Sequence, residues 1–199
     1  MRRTARSTAA LAVTVVLVAI LGACGSDKSV STGDATTTTK EATTSTGPCT
    51  LADATVDTHT GGTASSGVSL LTAVRTGSQA CADRVTFEFR DGAAPEYTVE
   101  YQPGPFQFGE SGTPLTVQGS AFLVVTFPHS AGVDLTSVNA DPTYTGPDSI
   151  IPTGLAHVRE VRKLEDFEAV LTWVIGLDGT RPFTVNVLEG PPRVYIDIG

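Results

Sequence analysis

The side chains best placed for chemistry in this 199-residue chain are charged and aromatic residues spaced by two. Arg84, Glu88 and Arg90 fall at even offsets in the string RVTFEFR, so an extended chain puts them on one face, opposite Val85, Phe87 and Phe89. Guanidinium donors beside a carboxylate acceptor suit sugar hydroxyls and peptide amides. Tyr97 and Tyr101 in YTVEY admit two readings, a platform for a sugar ring or core residues with the hydroxyl at the rim. Arg193 precedes a final alternating segment and is a further binding candidate; its other reading is a cross-strand ion pair with Asp197 or Glu88. Trp173, the single tryptophan, reads as core. Signals for catalysis are weaker. His59, His129 and His157 are scattered, and no serine or cysteine stands in a nucleophile-elbow sequence. Asp166 and Glu168 would share a strand face, as a wall-cleaving carboxylate pair requires, or would simply form a charged edge that resists aggregation. Cysteine and histidine spacing makes no zinc site. The expectation is a binding protein without catalytic residues, metal or cofactor.

The N-terminus says where such a protein works. Arg2, Arg3 and Arg6 precede an apolar run over residues 9–20, broken by Thr14, and Leu21, Gly22, Ala23 and Cys24 follow. The run is short for a bilayer span and has the length of a signal-peptide core. The whole resembles a bacterial lipobox. That resemblance implies that residues 1–23 are a lipoprotein signal peptide and that Cys24 receives the lipid. The protein is then expected on the extracytoplasmic face of the cell membrane. Of the three cysteines, Cys49 and Cys81 remain. In an oxidising compartment they can form a disulfide, closing a loop worth about 3–4 kcal/mol in chain entropy; the alternative is two free thiols.

Charge narrows the partners. Without residues 1–23 the chain carries ten basic and twenty-one acidic residues. That balance argues against nucleic acid and against electrostatic adhesion to anionic lipid or anionic wall polymers. Residues 24–67 are rich in Thr, Ser and Gly and nearly free of large apolar side chains, which reads as a flexible tether whose last third, stapled through Cys49, lies against the domain.

Residues 68–199 form the expected domain, and their period is two rather than 3.6. Alternating segments fall at 84–90, 97–101, 121–127, 169–177, 183–187 and 194–198, with 115–117 expected to pair with 121–127 across Gly119. Segment 169–177 is apolar on both faces, and 155–167 has no clear period and could hold a helical turn. Prolines fall between the segments, where a missing N–H does no harm. The expectation is an all-β fold, a two-sheet β-sandwich of short, mainly antiparallel strands. The strings YTVEYQPGP and FTVNVLEGP, eighty-six residues apart, suggest an internal repeat supplying equivalent strands to two facing sheets.

Three strings carry a family resemblance. ADRVTFEFRDGAAPEYTVEY, TWVIGLDGTRPF and LEGPPRVYIDIG are similar to the AMIN-like domain of bacterial lipoproteins, related to the AMIN domain of cell-wall amidases and pilus secretins. The family's Arg-led strand matches at residues 84–89, and its closing "Pro, x, Arg, apolar, x, Asp" pattern at Pro191, Pro192, Arg193, Val194 and Asp197. The resemblance implies a sandwich of two small sheets that binds peptidoglycan and localises a partner in the envelope. No amidase or secretin sequence accompanies it here, so the expectation is a free-standing binder. The alternative is a lipoprotein that docks an envelope or secreted protein partner.

Overall fold

The computed structural model describes residues 49–199. Residues 1–48, which hold the expected signal peptide, Cys24 and the first part of the expected tether, lie outside the described residues. The chain forms fifteen strands: β1 (His59–Gly61), β2 (Ser69–Ser78), β3 (Asp83–Phe89), β4 (Tyr97–Tyr101), β5 (Phe106–Phe108), β6 (Thr113–Leu115), β7 (Ala121–Pro128), β8 (Ser130–Ala131), β9 (Val133–Asp134), β10 (Asp141–Pro142), β11 (Ser149–Ile150), β12 (Val158–Phe167), β13 (Val170–Leu177), β14 (Phe183–Leu188) and β15 (Arg193–Ile198). Of these fifteen strands of the described residues, eleven build a five-stranded sheet, β14-β15-β3-β2-β8, and a six-stranded sheet, β1-β4-β7-β13-β12-β11, and four form the two-stranded pairs β10-β9 and β5-β6. All pairings in the two sheets are antiparallel except β2 with β8. The all-β sandwich inferred from period two is the fold observed.

Alternation sets the core. Val85, Phe87 and Phe89 on β3 and Val194, Ile196 and Ile198 on β15 are fully buried, and they meet Leu123, Val125 and Phe127 on β7 and Leu171, Trp173 and Ile175 on β13. Phe87 packs edge-on against both Phe127 and Trp173, with ring centroids 5.1 and 6.0 Å apart. The second apolar face of β13 has its own cover. Val174, with Val124 and Leu164, packs with Val117, Phe106 and Leu115 from the β5–β6 hairpin region, a small third layer outside the six-stranded sheet.

Two expectations change here. Residues 115–117 do not pair with β7: β6 pairs with β5, whereas β7 lies between β4 and β13. Gly119 instead brings the chain against the end of β13, where a Cβ would sit 2.7 Å from the Leu177 nitrogen. Residues 158–167 are a full strand, not a helical turn. Register shifts between Val158 and Glu160 and between Lys163 and Glu165 break its alternation, which is why no clear period shows in the sequence.

Residues 49–67, assigned to the tether on composition, are partly built into the sandwich. Thr55 exchanges backbone hydrogen bonds with Phe183 at the edge of β14 (3.0 and 2.8 Å), and β1 extends the other sheet by pairing with β4. The segment thereby joins the edges of both sheets. It engages Phe183 and Tyr97, the equivalent positions of the two repeat strings, which lie in facing sheets as the repeat suggested. Cys49 is bonded to Cys81, with α-carbons 5.2 Å apart.

The bond closes a separation of 32 residues and so removes chain entropy worth about 3–4 kcal/mol from the unfolded state. Reduction is expected to lower the melting temperature by about 5–15 °C, as read by calorimetry with and without reductant. An unchanged transition would show that the non-covalent ties of segment 49–61 suffice alone.

Candidate functional site

Residues directly opposite in antiparallel strands share a face, so register maps the outer side of the five-stranded sheet. Across β14, β15, β3 and β2 it reads Leu188, Arg193, Glu88, Ala73; then Asn186, Tyr195, Thr86, Arg75; then Thr184, Asp197, Arg84, Gly77. Three of the eight basic residues within 49–199 gather on this face, against eighteen acidic residues in the same span.

Two of the arginines are held in forked ion pairs. Arg84 donates through Nε and Nη2 to the two carboxylate oxygens of Asp197, at 2.6 and 2.7 Å. The hydrogen bonds it donates to Asp197 hold the Arg84 guanidinium pKa above its ordinary value. The same guanidinium lies 3.9 Å over the centre of the Tyr195 ring, a cation–π contact that fixes both groups. Arg75 donates to both oxygens of Glu88, at 2.7 and 3.2 Å. These bonds hold the Glu88 carboxyl below the usual range. Its contribution to stability is therefore present above the ordinary glutamate pKa and is lost as pH falls through the depressed folded value. Arg193 differs from both. Its Nε donates to the Pro191 carbonyl at 3.2 Å, and its guanidinium makes no salt bridge among the described residues, although its charge also helps to hold the Glu88 carboxyl low. Beside Asp197, Thr184 and Asn186, a depression of about 350 Å³ opens between β14 and the chain at Leu51 and Asp53.

Arg84, Glu88 and Arg193 thus share one face; the other three sequence-derived candidates lie elsewhere. Arg90, just past β3, reaches Asp134 at 3.0 Å, in the loop that also bonds Thr136. Tyr97 is 5% exposed and stacks on His59 with centroids 5.8 Å apart, so it is core and offers no outward platform. Tyr101 is half-buried; its hydroxyl donates to the Arg181 carbonyl and accepts from the Arg181 N–H. Burial holds both phenols above their ordinary pKa. Sequence reasoning missed Arg75, Tyr195 and Asp197 as one group. The signal for Tyr195 was present, since Arg193, Tyr195 and Asp197 alternate in RVYIDI. The signal for Arg75 is obscured by the register shift between Leu71 and Ala73.

Of the residues weighed for catalysis, Asp166 and His157 have structural partners. Asp166 accepts the Gly132 N–H at 3.1 and 3.2 Å, whereas Glu168 sits in the β12–β13 turn with φ 49°, so the two do not share a strand face. His157 approaches Asp178 at 3.4 Å, and among the described residues no serine or threonine hydroxyl bonds its ring.

Asp197 is 8% exposed, so Arg84→Ala should leave a buried carboxylate without its guanidinium, at a cost of about 1–3 kcal/mol. Arg75 has a far more exposed side chain, at 58%, and Arg75→Ala should cost under about 1 kcal/mol. Urea unfolding of the two variants tests this order, and equal costs would contradict it.

A family model for the AMIN-like domain matches residues 69–199. No curated protein and no solved structure matches the chain.

Proposed function

The chain belongs to the AMIN-like domain family, and from that premise we propose that it is a membrane-anchored lipoprotein whose domain binds peptidoglycan outside the cytoplasm without catalysing a reaction. Family membership supports the coarser part, an envelope-associated binding domain. The observation that carries the finer reading is the face bearing Arg75, Arg84, Arg193 and Tyr195 on an otherwise acidic domain. Peptidoglycan offers hydroxyls, amides and carboxylates together. The face offers the Arg193 guanidinium, the Thr86 hydroxyl and the Asn186 amide beside the closed Arg84–Asp197 and Arg75–Glu88 pairs, on strands packed over the core. In this reading residues 1–23 are the signal, Cys24 carries the lipid, and the chain between Cys24 and Cys49 is the spacer.

A second reading, docking of an envelope or secreted protein, is favoured by β14. Among the described residues Thr55 bridges its outer edge at Phe183, and the strand beyond, TVNVL, has neither charge nor proline to block an added strand.

Purified sacculi should retain the protein over a tether-only control across several salt concentrations. Tyr195→Ala should weaken retention several-fold, and Val187→Lys on the β14 edge should leave it unchanged. No enrichment of the parent protein would sink the peptidoglycan reading; loss with Val187→Lys alone would move binding to the edge. The anchor has a separate test. Cys24→Ala is expected to shift the protein from the membrane to the soluble fraction or to stall its processing. Retention on membranes after signal cleavage would refute the anchor.

A further inference from the structure

Resting on the peptidoglycan reading, we infer that this face captures a free carboxylate of the wall's peptide stem, end-on, at Arg193. The three guanidiniums of the face are not equivalent. Arg84 and Arg75 each spend two donors on a carboxylate of the same face, so neither charge is open to a ligand without breaking a forked pair. Arg193 spends Nε on the Pro191 carbonyl. That bond orients the guanidinium and leaves the Nη1 and Nη2 groups, the end-on fork that matches the two oxygens of a carboxylate. Glu88, directly opposite Arg193 in register, is already held by Arg75.

The surroundings select the kind of anion. One uncommitted positive charge balances one carboxylate. A phosphate polymer would bring a repeating run of negative charges onto a domain with eighteen acidic residues against eight basic ones. The neighbours of Arg193 along its row are Leu188, 41% exposed, and Glu88, with Ala73 beyond it. A small apolar group next to the carboxylate, such as the methyl of a terminal alanine, finds an apolar contact at Leu188. Tyr195 and Asn186 lie one row away and can meet the amide that precedes such a residue.

The test is an NMR titration of the full chain in detergent micelles with two probes, N-acetylated Lys-D-Ala-D-Ala as the free acid and as its C-terminal amide. The acid should bind about tenfold more tightly than the amide, with the Arg193 side-chain signal shifting. Arg193→Gln should abolish that difference, and Arg193→Lys, which keeps the charge but not the fork, should restore part of it. Equal binding of acid and amide, binding of neither, an acid preference that survives Arg193→Gln, or equal competition by inorganic phosphate would each overturn the inference. Because the acid and amide are compared on the parent protein, the result does not hinge on how a variant folds. Any of those results beside intact retention on sacculi removes the carboxylate site and leaves the peptidoglycan reading standing; loss of sacculus retention beside a clear acid preference does the reverse.

Discussion

Asp83 is the tie on which the arrangement of the two sheets depends. It opens β3 in the five-stranded sheet, is 2% exposed, and accepts the backbone N–H groups of Ala156, His157 and Val158, at 3.1, 2.6 and 2.9 Å. Those amides lead into β12 of the six-stranded sheet. A buried carboxylate is tolerated when its oxygens are hydrogen-bonded, and here one side chain satisfies three amides that the start of a strand leaves without partners. Its neighbours act in the same sense. Cys81 reaches Cys49 covalently, and Arg84 reaches Asp197. Within four residues the entrance of β3 is bound to the N-terminal segment, the facing sheet and the last strand. The pose of Arg84 over Tyr195, and with it the geometry of the outer face, follows from that fixed entrance.

Other acidic residues repeat the device where strands are irregular. Glu160, 3% exposed and beside a register shift in β12, accepts the Gln118 N–H at 2.8 Å and the Ser149 hydroxyl at 2.6 Å. Asp166 takes the Gly132 N–H. A bulged strand and a long connection leave amides that no ladder satisfies, and carboxylates fill the gaps. Part of the chain's acidity is thus structural, which reconciles a strongly negative composition with a face where positive groups gather.

Much of this was legible, for identifiable reasons. Strict period two at Val85, Phe87 and Phe89 and at Val194, Ile196 and Ile198 placed β3 and β15, and setting Cys24 aside for the lipobox left Cys49 and Cys81 as the pair that is bonded. The apolar run on both faces of β13 was visible, but not its cause, because the covering hairpin at 106–115 is set by contacts distant in sequence. Composition hid the role of residues 55–61, since Thr, His and Gly carry no core signal and contribute through backbone pairing. For the site, alternation gave the face of Arg84 and Glu88 correctly. It could not say which face of β4 points inward, so Tyr97 and Tyr101 stayed ambiguous until the sheets were placed. Asp197 comes from the last strand, 113 residues beyond Arg84, and Arg75 from the preceding strand across a register shift, and only register brings them to one face.

The Cys49–Cys81 bond also sets how a pull on the domain is carried. Tension arriving through the chain before Cys49 passes directly to Cys81, and residues 50–80, including β1 and β2, fall outside the covalent load path. The force enters two residues ahead of β3, which β15 and β2 flank with backbone hydrogen bonds on both sides. A load along β3 must therefore shear two ladders at once rather than peel an edge strand open. The weakly held strand at the sheet margin is spared, and the mechanical axis of the molecule runs through the middle of the face that carries Arg84, Glu88 and Arg193.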